Sequence, residues 1–235
     1  MALELLPKEL GNIAMNIRTR KIITDRFGEL SGDDIVRIYT RLCNAEQKWL
    51  KESTADCVIE LAMANHVDPV KTWLESITAE PLCDSDWDNL DQFLLGKKDE
   101  IARAYFPRFL VSAVKRVFEP GCQVRQLPVL RGPQDLGKGK LGESIFSTQW
   151  FGTDGLSTKL NHDDVASMTR FWCFELGELD GYRKHQIPKL KNFISQSSSY
   201  CRFVYMRSHQ MIQRRTVFWG TSNGIPLYDP IGSTR

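Results

Sequence analysis

The sequence of 235 residues contains no apolar run near the roughly 18–20 residues that a membrane-spanning helix requires. Its first residues carry acidic side chains early, and no sustained apolar stretch follows, so no secretory signal peptide is predicted. The six cysteines include no CxxC pair and have no histidine partners at metal-ligand spacing, which favours reduced thiols over a zinc site. Together these absences predict a cytoplasmic protein.

Acidic residues are also missing from one long segment. No Asp or Glu lies between Gly181 and Arg215, although the net charge of the whole chain is only +2. The segment therefore carries a charge of +8, and the remainder of the chain carries −6. Such asymmetry favours a polyanionic partner, with a solvated basic surface as the alternative. The basic residues are Arg183, Lys184, Lys189, Lys191, Arg202, Arg207, Arg214 and Arg215.

The first half of the sequence predicts a helical domain over residues 1–118. Ser31 can cap one amphipathic helix, and Asp68 followed by Pro69 is typical of the start of another. A long helical pattern runs from about 99 to 118 and is followed by a Glu-Pro-Gly stop. We place the domain boundary there.

The second half, residues 119–235, has short apolar segments separated by helical stretches. The strand candidates are 126–130, 171–174 and 216–220. Strands that alternate with helices predict an α/β layer with a mostly parallel sheet.

A glycine-rich loop follows the first of these strand candidates. It agrees with the phosphate-binding pattern GxxxxGK[ST] except at the last position, where Gly139 replaces the Ser or Thr whose hydroxyl normally binds magnesium. A metal there would depend on water, nucleotide oxygens and acids elsewhere in the chain. The loop predicts a site for ATP and Mg²⁺, with a chance glycine-rich turn as the alternative. Its residues are Gly132, Pro133, Gln134, Asp135, Leu136, Gly137, Lys138 and Gly139.

Polar residues follow the next two strand candidates. Glu175 ends the apolar segment 171–174, and Glu178 lies three residues later. An acid at the carboxyl end of a neighbouring strand would face the phosphates and orient magnesium and the attacking water. Asn223 follows the strand candidate 216–220 and is placed to bond the water or the γ-phosphate, although Ser-Asn-Gly also favours a turn.

These motifs in this order resemble the superfamily 3 helicases, and more closely the virulence-associated E family of ATPases in phage and genomic-island replication. The resemblance covers roughly residues 68–235. The stretches that carry it include LPVLRGPQDLGKGK, FWCFELGELDG, RRTVFWGTSN and PLYDPIGSTR.

The resemblance implies a P-loop NTPase core of the AAA+ type, assembled as a ring, usually a hexamer, around DNA. It places Lys138 on phosphate, Glu175 on magnesium and Asn223 as a sensor, and it leaves open whether Glu175 or Glu178 is catalytic. The stretch that ends at Arg235 would carry an arginine finger that completes a neighbour's site. Family members continue past this arginine, so the resemblance also implies a truncated chain.

The basic segment contains a predicted hairpin at 199–215, and in superfamily 3 helicases such a hairpin enters the ring channel. Candidate contacts to single-stranded DNA are Lys191, Arg202 and Arg207 for phosphates and Tyr205 or His209 for base stacking. Arg214 and Arg215 are alternatively assigned to a neighbouring subunit or to the nucleotide.

Three functions are compatible with this pattern. The first is a DNA-translocating ATPase, or helicase, in phage or mobile-element replication. The second is a nucleotide-binding initiator or interaction module with weak or no hydrolysis, which Gly139 and the missing carboxyl-terminal part favour. The third is a small-molecule kinase, against which the basic hairpin and the Thr-Ser-Asn strand end argue.

Overall fold

The structure is a computed structural model that describes residues 2–44, 51–153, 162–181, 186–201 and 210–224. The chain divides into two compact units, Met1–Ser76 and Ile77–Arg235. We call them the amino-terminal unit and the carboxy-terminal unit.

The amino-terminal unit combines helices with a small sheet. Its strands are ordered β3-β2-β1-β4, with antiparallel pairing except between β1 and β4, which are parallel. Its elements are α1 (Ala2–Leu10), β1 (Ile13–Asn16), β2 (Ile22–Thr24), β3 (Gly28–Glu29), α2 (Gly32–Asn44), α3 (Lys51–Ala64), β4 (His66–Val67) and α4 (Pro69–Ser76).

The helix starts in this unit follow the predicted chemistry. The Ser31 hydroxyl accepts a bond from the Asp34 amide, and the Asp34 carboxylate accepts one from the Ser31 amide, which forms a reciprocal cap on α2. Asp68 accepts a bond from the Val70 amide at the start of α4 and pairs with the buried Arg18 at 2.6 Å. The core beneath the sheet is aliphatic and consists of Leu6, Leu10, Ile13, Ile38, Leu42, Val58 and Ala62.

Two features of the amino-terminal half differ from the sequence-based expectation. The described residues of the unit include four short strands, whose two to four residues are too few to give a clear alternating pattern. In addition, the compact units separate between Ser76 and Ile77, whereas the predicted boundary lay after residue 118. The long helix from 100 to 118 belongs to the second unit because its aromatic side chains pack into that core.

The carboxy-terminal unit begins with three helices and continues as alternating strands and helices. The elements before the glycine-rich loop are α5 (Asp84–Asp88), α6 (Leu90–Leu95), α7 (Glu100–Phe118) and β5 (Val129–Arg131). Those after it are α8 (Lys138–Phe146), β6 (Phe151–Gly152), α9 (His162–Met168), β7 (Cys173–Leu176), a 3₁₀ turn (Leu179–Gly181), α10 (Ile187–Ser195), β8 (Ser198–Cys201), β9 (Gln210–Gln213) and β10 (Val217–Ser222).

The main sheet of this unit has the order β5-β10-β7-β6, and every neighbouring pair is parallel. The predicted α/β layer with a parallel sheet is therefore confirmed. The last strand in sequence, β10, lies between the first strand and β7. Because parallel strands end at the same edge, the residues after β5, β7 and β10 meet along one side of the sheet.

Helices cover both faces of this sheet, and β10 shows why. Its six residues are all buried, so successive side chains enter opposite layers. Trp219 packs with Phe106 and Phe109 of α7 and with Phe146 of α8 on one face. On the other face Phe218 joins a cluster with Met168, Phe174, Leu176, Leu179, Leu190, Phe193 and Ile194.

Helix α7 continues through Pro107 as one element. Asp99 caps α7 by accepting a bond from the Ala102 amide at 2.9 Å. Over the ranges that the structure describes, none of the helices combines the length and apolar character needed to cross a membrane.

Candidate functional site

The glycine-rich loop connects β5 to α8 and begins at the carboxyl edge of the parallel sheet. Gly137 adopts a left-handed backbone conformation with φ of 83°, which places the start of α8 directly after the turn. Asp135 is also left-handed, with φ of 62°. The Leu141 amide bonds the Gly137 carbonyl at 3.0 Å and closes the first helical turn, so the Lys138 and Gly139 amides precede the helical ladder. This loop presents backbone donors and the positive end of a helix dipole.

Lys138 folds back over the loop. Its ammonium donates to the carbonyls of Gly132 at 2.8 Å and Pro133 at 2.7 Å, and to Asn223 Oδ1 at 2.9 Å. Asn223 follows β10, so the central strand and the loop meet at this ammonium. All three acceptors are neutral oxygens, and the side chains of Lys138 and Asn223 remain partly or largely exposed. The cation is therefore well placed to exchange these acceptors for an anionic ligand.

Glu175 lies beside the start of α8. It is half-buried near the end of β7, and its Oε1 accepts a bond of 2.6 Å from the buried Thr221 hydroxyl on β10. Its Oε2 faces Gly139, where a Cβ atom would come within 2.9 Å of that oxygen. The structure thus brings Lys138, Gly139, Glu175 and Asn223 together at one edge of the sheet.

Asp180 is a member of this edge that the sequence reasoning did not select. Its carboxylate accepts bonds from the Ser222 hydroxyl at 2.9 Å and from the Asn223 amide at 3.2 Å. The Ser222 bond is the main reason why the pKa of Asp180 lies below its usual range, and backbone donors add to it. Asp180 thereby locates the backbone of Asn223. The available signal was its position as the second acid after β7, at the same strand end as Glu175.

Glu178 lies in the turn after β7 and has a different environment from Glu175. It is exposed, its backbone is left-handed with φ of 52°, and its carbonyl accepts a bond from the Gly181 amide. No hydrogen bond or ion pair links its carboxylate to the rest of the described chain. Of the two candidate acids, Glu175 is the one in direct contact with the loop and with β10.

The residues at this edge are compatible with a magnesium nucleotide. Within the described ranges, no three Asp, Glu, His or Cys side chains lie close enough to form a metal cage. Magnesium bound with nucleotides needs only one or two carboxylates, because phosphate oxygens and waters complete its shell. Glu175 provides one carboxylate beside the helix start, and the left-handed turn, the early amides and Lys138 provide the donors that phosphate oxygens require.

The predicted hairpin is present as an antiparallel pair of β8 and β9, with Ser198 opposite Gln213 and Cys201 opposite Gln210. The loop between the strands, with Arg202, Tyr205, Arg207 and His209, lies outside the described residues, as does Arg235. Lys191 is half-buried on α10, the helix that precedes β8.

Arg214 does not face a partner or a nucleotide, which corrects that alternative. It is 4% exposed, and its guanidinium lies 4.4 Å from the centre of the Phe193 ring. Its donors reach the Phe193 carbonyl, the Ser199 hydroxyl at 2.9 Å and Gln196 Oε1 at 3.2 Å. Burial, with a smaller effect of nearby Arg116, lowers the pKa of Arg214 to about 9. This cation of the basic segment is therefore buried and bonded inside the protein, where it is not accessible to an anionic partner.

Comparisons with known proteins agree with the resemblance seen in the sequence. The profile of the virulence-associated protein E-like domain matches residues 82–235, about two thirds of the chain. A comparison with curated proteins found no significant match.

Solved structures of the NrS-1 C-terminal region share the fold. One apo structure aligns over 100% of this chain with a TM-score of 0.60 and 14% identity. A second apo structure, an A form, aligns over 94% of the chain with a TM-score of 0.55 and 14% identity. This chain spans only 59% and 56% of the length of those two structures. At this level of identity the likeness concerns the fold.

Proposed function

The chain belongs to the virulence-associated protein E-like domain family, and we propose that it is an ATP-hydrolysing motor of the helicase type that acts on DNA in phage or mobile-element replication. A replication-associated role is suggested by the family, and the chain shares its fold with the NrS-1 C-terminal region. The proposal adds the chemistry, which rests on a P-loop NTPase core of the AAA+ type in the carboxy-terminal unit.

The observation that carries the proposal is the set of bonds made by Lys138. Its ammonium joins the glycine-rich loop to Asn223 at the end of the central strand, at distances of 2.7–2.9 Å. A chance lysine in a turn has no reason to contact the polar tip of a distant strand, 85 residues later in the sequence. A phosphate-binding lysine is expected near that strand tip, because the polar residue at the tip must contact the same phosphate or the attacking water.

Bound ATP with Mg²⁺ would supply the γ-phosphoryl group and the charge that activates it. Lys138 and the early amides of α8 would hold the phosphates, and Glu175 would bind the metal and orient the attacking water. Asn223 would bond the γ-phosphate or that water, with its backbone located by Asp180. Glu178, which lies apart from these groups, would have a secondary role.

On the DNA side, we propose that the hairpin of β8 and β9 and the preceding helix α10 face single-stranded DNA. The contacts would be Lys191, Arg202 and Arg207 to phosphates and Tyr205 or His209 to bases. The protein would act as a ring, with Arg235 reaching the site of the next subunit. The basic segment supports this even without Arg214, because its described residues Lys189, Lys191 and Arg215 are not among the buried ones.

The test is steady-state ATP hydrolysis by the chain, with and without single-stranded DNA, beside the variant Lys138→Ala. We expect DNA to stimulate hydrolysis, and the variant to lose at least about 100-fold of it because the phosphate charge is left unbalanced. Lys140→Ala, two residues along the same helix, is the matched control and should retain activity. Hydrolysis that survives in Lys138→Ala would contradict the proposed site.

A second function is favoured by a specific residue, Gly139, which lacks the hydroxyl of the usual motif. In that case the chain binds nucleotide as an initiator or interaction module and hydrolyses it weakly or not at all. Retained binding of a labelled ATP analogue with no DNA-stimulated hydrolysis would support this function over the motor.

A further inference from the structure

Gly139 stands at the position where the phosphate-loop motif normally has a Ser or Thr, yet the space beside it is filled. A Cβ atom built on Gly139 would lie 2.9 Å from Glu175 Oε2, 3.5 Å from Oε1 and 3.6 Å from Cδ. The first of these distances is shorter than a real Cβ contact. The carboxylate of Glu175 therefore sits against the backbone of α8 at the point where a side chain would otherwise project.

A hydrogen bond holds the Glu175 carboxylate in this place. The Thr221 hydroxyl holds its Oε1 at 2.6 Å, and Thr221 is buried in the central strand. The start of α8 is fastened to the same strand, because the Trp219 indole donates to the Lys138 carbonyl at 3.3 Å. Trp219 and Thr221 are two residues apart on β10, so their side chains leave the strand on the same face. One strand thus locates both the helix start and the carboxylate.

We propose that Gly139 is a required element of the metal site, which admits the Glu175 carboxylate to the place of the missing hydroxyl. Thr221 is the positioning residue that holds the carboxylate there. Oε2 becomes the direct magnesium ligand, in keeping with the preference of this cation for oxygen donors beside phosphates. The inference rests on the proposed function, and it makes Gly139 an adaptation of the site to a different ligand.

The experiment measures the affinity of the full chain for a fluorescent, non-hydrolysable ATP analogue, once with Mg²⁺ and once with EDTA. The variants are Gly139→Ala and Gly139→Ser at the helix start, and Thr221→Val with its matched control Thr221→Ser. The informative quantity is the ratio of the two affinities, because a general loss of the binding site would weaken both. Circular dichroism melts show which variants are folded.

We expect the wild-type chain to bind the analogue more tightly with Mg²⁺ than with EDTA. Mutation of a residue that orients a metal ligand typically costs about tenfold or more in metal affinity. Gly139→Ala and Gly139→Ser should lose that gain and keep their affinity in EDTA. Thr221→Val should lose it as well, and Thr221→Ser, which retains the hydroxyl, should keep it.

A gain in magnesium-dependent affinity in Gly139→Ser would overturn the inference, since the motif hydroxyl would then be what the site lacks. Equal behaviour of Thr221→Val and wild type would also overturn it. Either result leaves the proposed function intact. A wild-type chain that binds no analogue in either buffer would overturn the proposed function itself and the inference with it. If the Gly139 variants do not fold, the two Thr221 variants decide alone.

Discussion

Two cations of the carboxy-terminal unit, Lys138 and Arg214, are bonded to neutral oxygens but differ in their access to solvent. Lys138 contacts two carbonyls and one amide oxygen at the open edge of the sheet. Arg214 contacts a carbonyl, a hydroxyl and an amide oxygen inside the protein, stacked on Phe193. An exposed cation with neutral partners can exchange them for a charged ligand, whereas a buried one stabilises its surroundings. Basic residues in a sequence are therefore not equivalent evidence for an anionic partner.

The largest expected effect is on ATP hydrolysis, in a variant at the carboxyl edge of the parallel sheet. Glu175→Gln keeps the shape of the side chain but removes the charge that would bind magnesium and orient water. We expect DNA-stimulated ATP hydrolysis to fall by about 100-fold or more, with the melting temperature nearly unchanged. Glu178→Gln is the matched variant, and a larger loss there than in Glu175→Gln would reverse the assignment of the two acids.

The next largest effect is on stability, in a variant of the buried cation Arg214. Arg214→Ala removes a buried guanidinium and leaves Gln196 and Ser199 without a donor. We expect the free energy of unfolding to fall by about 2–4 kcal/mol, measured by urea denaturation. Lys189→Ala, an exposed basic residue on α10, should change it by less than about 0.5 kcal/mol. An Arg214→Ala chain that keeps its stability but binds DNA more weakly would show that Arg214, like Lys138, serves a ligand and does not stabilise the interior.

A smaller, pH-dependent effect is expected at Asp180. Because the Ser222 hydroxyl lowers the pKa of Asp180, the ionised carboxylate stabilises the fold above the unfolded-state pKa of about 3.9. That contribution is lost as the pH falls through the lower pKa of the folded state. Asp180→Asn should therefore be less stable than wild type near pH 7, and the difference should shrink below about pH 4. A difference that stays constant over this range would show that the charge is not responsible.

The smallest effect concerns Lys191. As a single phosphate contact, Lys191→Ala should weaken binding to single-stranded DNA a few-fold for every sequence. The slope of log affinity against log salt should fall by about 0.7, as expected for one lost contact to a single strand. Fluorescence anisotropy at several salt concentrations measures both quantities. Lys115→Ala on α7 is the control. If the two variants have the same DNA affinity and the same salt dependence, Lys191 does not contact the DNA.

Helix starts could be predicted from the sequence where a single side chain determines them. Ser31 and Asp68 cap helices as predicted, because a cap depends on a side chain and the amides two or three residues away. The short strands of the amino-terminal unit were missed for the opposite reason. Strands of two to four residues depend on partners far along the chain, which no local pattern records.

The candidate site was partly predictable in the same sense. Lys138, Glu175 and Asn223 were selected because each follows a strand in a sheet predicted to be parallel, and the structure brings them to one edge. Asp180 and Thr221 were not selected, since their roles arise only when β10 lies between β5 and β7. Arg214 was included in the basic segment predicted to face an anionic partner, because the charge of a residue does not show whether it is buried.

The sequence by itself determined the family, the parallel α/β layer and the order of the motifs at the candidate site, because these depend on local patterns and their succession. Only the tertiary structure decided which acid reaches the loop, which arginine is buried, and that Gly139 lies against a carboxylate. Those features depend on residues that lie 15 to 85 positions apart in the sequence. Contacts over such distances are properties of the packed sheet.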